Sequence, residues 1–213
     1  MAEGVFFDLW NTLMYCPTKG MVDEIVRLLG LKGKLDYLEL MDEMEETLFV
    51  DSGYELEELF RRLCDEKRVG YSPDIIAEAM GVWESRLKEA EYFPEAEAVL
   101  EDLRHDFKLG LISNTDKGGA EYARGKVSGH FDSIIMSCEA GVAKPDPLIY
   151  EMALESLDLD CRDCWMVGDN VRMDVEGALN AGMNAVLIDR ERIHTKGGYS
   201  VIEDLTELRG VIR

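Results

Sequence analysis

Basic residues are scarce in this chain, long apolar runs are missing, and histidine occurs only three times. Each shortage excludes something. With 23 Lys and Arg against 44 Asp and Glu, the formal net charge is -21. Binding nucleic acid needs basic patches that neutralise phosphates, so no nucleic-acid partner is expected. No stretch approaches the roughly 20 apolar residues that span a bilayer, and no signal peptide is expected ahead of the first strand. The expectation is a soluble cytoplasmic protein with no membrane partner, as a monomer or homodimer. His105, His130 and His194 are dispersed and read as surface or loop residues. Cysteine is an odd, scattered set of five. Cys161 and Cys164 form a lone Cys-x-x-Cys with no second pair, so free thiols are expected rather than a metal or redox site. There is no internal repeat and no low-complexity tract.

What is there suffices for a globular core. The chain has 213 residues, 46% of them apolar, enough for one large domain or a core with an insert. Residues 4–8 read as a buried strand, and residues 15–20, with Pro17 and Gly20, as a linker. Four segments of helical periodicity follow. Ile25, Leu28 and Leu29 mark the first, and Leu35, Leu38, Met41 and Leu48 the second. Leu56, Leu59, Phe60 and Leu63 mark the third; Ile75, Ile76, Ala79, Met80, Trp83 and Leu87 mark the fourth. Such helices bury their stripes against one another as a small bundle.

From about residue 92 strand and helix alternate. Helices are expected over 94–106, 117–127 and 147–157, and another including Asp174 and Ala178 that stops at Ala181-Gly182. Strands are expected at Leu109-Gly110-Leu111-Ile112, at Ile134-Ile135-Met136, before Asp169 and at Ala185-Val186-Leu187-Ile188. This alternation points to an α/β core with a mostly parallel sheet.

Two apolar runs end in a carboxylate: Val5-Phe6-Phe7-Asp8, and Trp165-Met166-Val167-Gly168-Asp169 with Asp174 five residues on. Strands buried on both faces read as continuous apolar runs, and in open parallel sheets the ligand sits at their carboxyl ends. Asp8 and Asp169 are therefore expected in one crevice. Close anions repel, and a hard divalent cation bound through oxygens relieves the repulsion. That points to Mg2+.

Four elements occur in order. They are Asp8-Leu9-Trp10-Asn11-Thr12-Leu13; Leu111-Ile112-Ser113-Asn114-Thr115; Lys144-Pro145-Asp146-Pro147 with Tyr150 six residues past the lysine; and Val167-Gly168-Asp169-Asn170-Val171-Arg172-Met173-Asp174. In this order the chain resembles the haloacid dehalogenase superfamily of hydrolases over nearly its whole length. The resemblance implies an α/β, Rossmann-like core (1–15 and 92–213), its mostly parallel sheet flanked by helices, with an inserted α-helical cap (16–91). It implies a phosphatase acting on a small phosphorylated metabolite. Asp8 would attack phosphorus and form an aspartyl-phosphate. Ser113 and Lys144 would assist, and Thr12, Ser113, Asn114 and Lys144 would hold the phosphate. Mg2+ would be held by Asp8, the backbone carbonyl of Trp10, Asp169 and Asp174. A carboxylate approaching a phosphate dianion at ~4 Å meets about 4 kcal/mol of repulsion per unit pair at an effective dielectric near 20. A cation and an ammonium would offset it.

Trp10 departs from the pattern. Family phosphatases carry there a second aspartate that protonates the leaving group, and indole has no proton to exchange near neutral pH. Three readings follow. One is a phosphatase with another proton source or restricted to good leaving groups such as acyl or aryl phosphates. Another is a metal-free 2-haloacid dehalogenase, whose relatives also lack that aspartate and whose arrangement Tyr150 resembles. The third is a catalytically retired member that binds a phosphorylated ligand or a partner protein.

Overall fold

A computed structural model describes residues 2–16, 20–193 and 197–212. A six-stranded sheet runs through the centre. Its strands are β1 (Gly4–Phe7), β4 (Lys108–Ser113), β5 (Ser133–Met136), β6 (Cys164–Gly168), β7 (Asn184–Ile188) and β8 (Ser200–Ile202), in the order β5-β4-β1-β6-β7-β8. Every neighbouring pair is parallel. β1, β4 and β6 read as unbroken apolar runs because both faces are covered. Val5 and Phe7 enter one buried cluster with residues of α5 (Ala96–Leu103) and α6 (Lys117–Val127). Phe6, between them, enters another with residues of α8 (Pro147–Leu157) and α9 (Gly177–Asn180). This is the layered α/β architecture expected from the sequence, with α7 (Ser137–Ala140) a single turn after β5.

Between β1 and β4 the chain forms α1 (Met21–Leu28), α2 (Tyr37–Glu46), α3 (Leu56–Glu66) and α4 (Pro73–Glu89). They share a hydrophobic cluster of their own, built around Ile25, Leu40, Met44, Phe60, Leu63 and Trp83. Caps set the starts. Asp36 and Glu39 form a reciprocal capping box on α2. Ser72 caps α4, with Pro73 in its first turn. Because Asp36 fixes where α2 begins, the helix buries Leu40 and Met44. Leu38, expected on the inner face, is 68% exposed, while Leu35 and Leu48 are buried outside the helix. α5 is also shorter than its expected 94–106, and Pro94 lies ahead of its Glu95 N-cap.

Two short strands were not expected from the sequence. β2 (Met14–Tyr15) and β3 (Glu91–Tyr92) pair antiparallel where the chain leaves for the helices and where it returns. The Phe93 N–H extends the ladder to the Leu13 carbonyl at 2.9 Å. β8 was unexpected as well. Cys161 and Cys164 are free thiols. His105 lies in an exposed turn and His130 is half-buried in a short 3-10 turn; His194 lies outside the described residues, as do residues 17–19 of the expected linker. Among the described residues, no helix is long and apolar enough to cross a membrane.

Candidate active site

Parallel register brings three strand ends level. Phe7 pairs with Leu111 on one side and Val167 on the other. Asp8 therefore leaves β1 beside the ends of β4 and β6, its N–H donating to the Val167 carbonyl at 2.9 Å. Ser113 ends β4, and Asp169 directly follows β6. β1 has its sequence neighbour in the sheet, β4, on one side and β6 on the other, which is the switch point where ligands bind in open α/β sheets.

Asp174 comes from a π-helical turn, Val171–Glu176. Turns of this kind recur at functional sites. The Asn170 N–H donates to its Oδ2 at 3.0 Å, and the Asn170 side chain caps the turn through the Met173 N–H at 3.0 Å. Gly168 makes room: a Cβ there would sit 2.2 Å from Asp174 Cγ. Carboxylate oxygens of Asp8, Asp169 and Asp174 lie within 4.8 Å of one another, close enough to hold one metal ion.

Lys144 faces this cluster. Its Nζ donates to Asp8 Oδ1 and to Asp174 Oδ1, both at 2.6 Å, and the residue is 3% exposed. Asn114 sets its position. The Lys144 N–H donates to Asn114 Oδ1 at 2.8 Å, and Asn114 Nδ2 donates back to the Lys144 carbonyl at 2.8 Å. Asn114, expected on the phosphate, thus has its carboxamide engaged with the lysine backbone. Tyr150 donates its hydroxyl to the Met173 carbonyl. It packs against Gly177, where a Cβ would lie 2.2 Å from the Tyr150 oxygen.

The charges are strongly coupled. Burial is the largest influence raising the Asp8 carboxyl above its ordinary range; Lys144 pulls it back, while Asp174 and Asp169 push it further up. Burial also raises Asp169, with Asp174 adding and Lys144 and a hydrogen bond from the Asn11 side chain opposing. For Lys144 burial alone would favour the neutral amine, but Asp174 and Asp8 outweigh it and hold the ammonium protonated. An excess of buried negative charge remains, and a dication suits it.

Thr12 and Ser113 are fully buried, and neither hydroxyl has a hydrogen-bond partner among the described residues. Unpartnered buried hydroxyls are costly and invite a ligand's acceptor atoms. Arg190 fixes the Thr12 loop, donating to the Thr12 carbonyl at 2.9 Å while lying 3.5 Å over the Phe93 ring.

Above the cluster lies a cavity of about 430 Å³. Asp8, Trp10, Asn114, Lys144, Asp169 and Asp174 line one side and residues of α1, α2 and α4 the other. Thr12 and Ser113 lie outside that lining. A family model of haloacid dehalogenase-like hydrolases matches residues 2–182.

The chain belongs to this family of hydrolases.

Phosphoserine phosphatase of Thermus thermophilus is 34% identical over 151 residues, which cover 68% of this chain and 59% of that protein's length, under two thirds of it. N-acylneuraminate-9-phosphatase of Rattus norvegicus is 28% identical over 207 residues, covering 87% of this chain and 81% of the relative. Among solved structures, a 2-haloacid dehalogenase from Pseudomonas syringae pv. Tomato matches with a TM-score of 0.71 over 99% of this chain and 98% of the other. At 24% identity that likeness is one of fold.

A further constellation of this hydrolase was not anticipated. Arg86 of α4 gives its Nη2 to both oxygens of Asp116 at 2.8 Å and its Nη1 to the Trp83 carbonyl at 2.8 Å. The Trp83 indole N–H also donates to Asp116, and the guanidinium lies 3.9 Å over the indole ring. Asp116 caps α6 through the Gly119 N–H at 2.7 Å. A buried ion pair thus joins the helical segment to the sheet-bearing part beside the cavity. One signal was present: Ile76, Ala79, Trp83 and Arg86 follow a single helical stripe. The acidic partner, 30 residues away, carried none.

Proposed function

We propose that this hydrolase is a magnesium-dependent phosphatase that acts on a small phosphorylated substrate through an aspartyl-phosphate on Asp8. The observation that carries the reading is Lys144, whose ammonium reaches Asp8 and Asp174 at 2.6 Å within a cluster of three carboxylates. The relatives named as phosphatases support it.

The residues fit a magnesium ion. Asp8, Asp169 and the Trp10 backbone carbonyl would hold it, with Asp174 completing the oxygen-rich shell. Bound there, Mg2+ would neutralise charge on the phosphoryl oxygens and lower the repulsion between substrate and carboxylate.

The chain's own groups do the rest. A carboxylate oxygen of Asp8 attacks phosphorus, and the bond from phosphorus to the leaving oxygen breaks, its electron pair departing with that oxygen. Lys144 keeps its proton throughout and offsets the charge gathering on the phosphoryl group. The hydroxyls of Thr12 and Ser113 donate to phosphoryl oxygens, and Asn114 holds Lys144 in place. Water then attacks the phosphorus of the aspartyl-phosphate, restoring the Asp8 carboxylate and releasing inorganic phosphate and a proton. Residues 16–91 act as a cap over a core of 1–15 and 92–213, and the β2–β3 ladder marks the hinge. Closing the cap excludes bulk water.

A 2-haloacid dehalogenase is the second reading, favoured by Trp10 standing where a phosphatase carries its second aspartate. Two further carboxylates converging on the nucleophile, Asp169 and Asp174, weigh against it, because displacing halide from carbon needs no dication. The deciding test is release of phosphate from a panel of small phosphomonoesters, with Mg2+ or with EDTA, by the wild type and by Asp8→Asn. Release that needs both Mg2+ and Asp8 supports the proposal. Halide release from a 2-haloacid in EDTA, without phosphatase activity, refutes it.

A further inference from the structure

We infer that the leaving group this site is built for is an uncharged, apolar aryl hydroxyl: the preferred substrate is an aryl phosphomonoester whose ring sits against the helical wall of the cavity. The inference rests on the phosphatase reading and adds the substrate class to it.

The wall carries an apolar patch, part of it anchored in the core of the bundle. Met21, Val22, Tyr37, Met41, Phe49 and Trp83 line it. Val22, Phe49 and Trp83 are 5%, 7% and 5% exposed, because they also belong to the core of the helical bundle. Their side chains are therefore set before any ligand arrives, as in preformed pockets for small molecules. A cavity of about 430 Å³ has room for one ring and its substituents.

The charges on that side disfavour a second anionic group. Among the described lining residues the cations are Arg86 and Lys144. Lys144 serves Asp8 and Asp174. The Arg86 charge is already balanced by both oxygens of Asp116. The remaining charged residues of the helical wall, Asp23 and Glu45, are acidic. A carboxylate or second phosphate on the substrate would be taken out of water beside like charges, which is costly.

Trp10 gives the independent reason. It lines the cavity where an acid could otherwise protonate the departing oxygen. Cys16 also lines it, but its thiol points to the Arg86 carbonyl at 3.3 Å, and burial raises it further. Trp10 itself offers the leaving oxygen no proton, and an oxygen that leaves without one departs as an anion. A phenol, with a pKa of about 10, does so far more readily than an aliphatic alcohol, whose pKa lies nearer that of water, about 15.7. The balance closes without an enzymic acid. The P–O bond breaks, the aryl oxide carries off the electron pair, and in solution it takes up the proton freed when water cleaves the aspartyl-phosphate. Phenol and inorganic phosphate result.

The test compares kcat/KM of the wild-type protein with Mg2+ for matched pairs of substrates. Phenyl and benzyl phosphate carry the same ring but differ in leaving ability. 4-Chlorophenyl and 4-carboxyphenyl phosphate have leaving groups of similar acidity but differ in charge. Glycerol phosphate has neither a ring nor a good leaving group. Phenyl phosphate should exceed benzyl phosphate by about 10²-fold or more, the value of the missing acid. 4-Chlorophenyl phosphate should exceed 4-carboxyphenyl phosphate at least about tenfold. Trp10→Asp should narrow the phenyl–benzyl gap while leaving the charge discrimination in place. If benzyl or glycerol phosphate matches phenyl phosphate, or the carboxylate is no handicap, the inference is overturned and an Asp8- and Mg2+-dependent phosphatase still stands. If no phosphate is released from any of them, both readings fall.

Discussion

Asn114 holds the peptide of Lys144 from both sides, accepting from its N–H and donating to its carbonyl, each at 2.8 Å. The amide sits at the end of one strand and the lysine in a loop 30 residues on. This pairing aims an ammonium that must meet two carboxylates at once.

Asn114→Ala should therefore reduce activity without touching substrate. Two hydrogen bonds of about 1 kcal/mol each are lost, and displacement of a positioned group costs up to about 10² in rate. The fall should appear mostly in kcat, with KM little changed. Steady-state kinetics checks this, and an unchanged kcat would show that the loop holds Lys144 without help.

Gly168→Ala is expected to damage stability and metal binding together. Its new methyl would lie 2.2 Å from Asp174 Cγ, and the aspartate is 1% exposed, so it has nowhere to retreat. Overpacking of this kind costs about 1–3 kcal/mol. Thermal denaturation should show a lower Tm, and calorimetry a weaker Mg2+ affinity. A variant with wild-type values on both counts would mean that Asp174 can shift freely.

Arg86→Met should strand the Asp116 carboxylate next to Trp83. Removing one member of a buried pair costs about 3–5 kcal/mol. Adding Asp116→Asn keeps an acceptor for the Gly119 N–H but removes the orphaned charge. The double variant should therefore be more stable to urea than Arg86→Met alone. Strictly additive losses would show that the two residues do not act as a pair.

In the proposed function the carboxylates would make Mg2+ binding pH-dependent. Asp8 and Asp169 are raised above their ordinary range, chiefly by burial. Between the ordinary carboxylate pKa, about 4, and the raised folded values, the metal-free fold holds more protons than the unfolded chain. Its stability from these groups is thus present at low pH and lost as pH rises. Mg2+ bound there would replace the protons and reverse the loss. The increase in Tm produced by Mg2+ should be larger at about pH 8 than at about pH 5, and Asp169→Asn should abolish most of that difference. An increment independent of pH would contradict this coupling.

Much of this arrangement was legible in the amino-acid sequence, for physical reasons. Central strands covered on both faces must be apolar throughout, so a carboxylate closing such a run, as at Asp8 and Asp169, stands out. β1, β4, β6 and β7 were visible for that reason, and the edge strand β5 through its short run Ile134-Ile135-Met136. β2 and β3 have two residues each, too few to show any period, and β8 has only three. Leu38 misled because hydrophobic spacing alone does not locate the N-cap that sets a helix's phase. The meeting of Asp8 and Asp169 followed from strand ends in a parallel sheet, whereas Lys144 and Asp174 were joined to them by the family resemblance. The grip of Asn114 and the Arg86–Asp116 pair followed from neither, since each joins residues 30 apart through side-chain geometry that no local pattern encodes.

The most direct measurement is mass spectrometry of the protein quenched in acid during turnover of phenyl phosphate with Mg2+. A phosphoryl group should be found on the peptide containing Asp8, absent in EDTA and absent from Asp8→Asn. Turnover with no phosphorylated peptide, or with the group on another residue, would contradict the account.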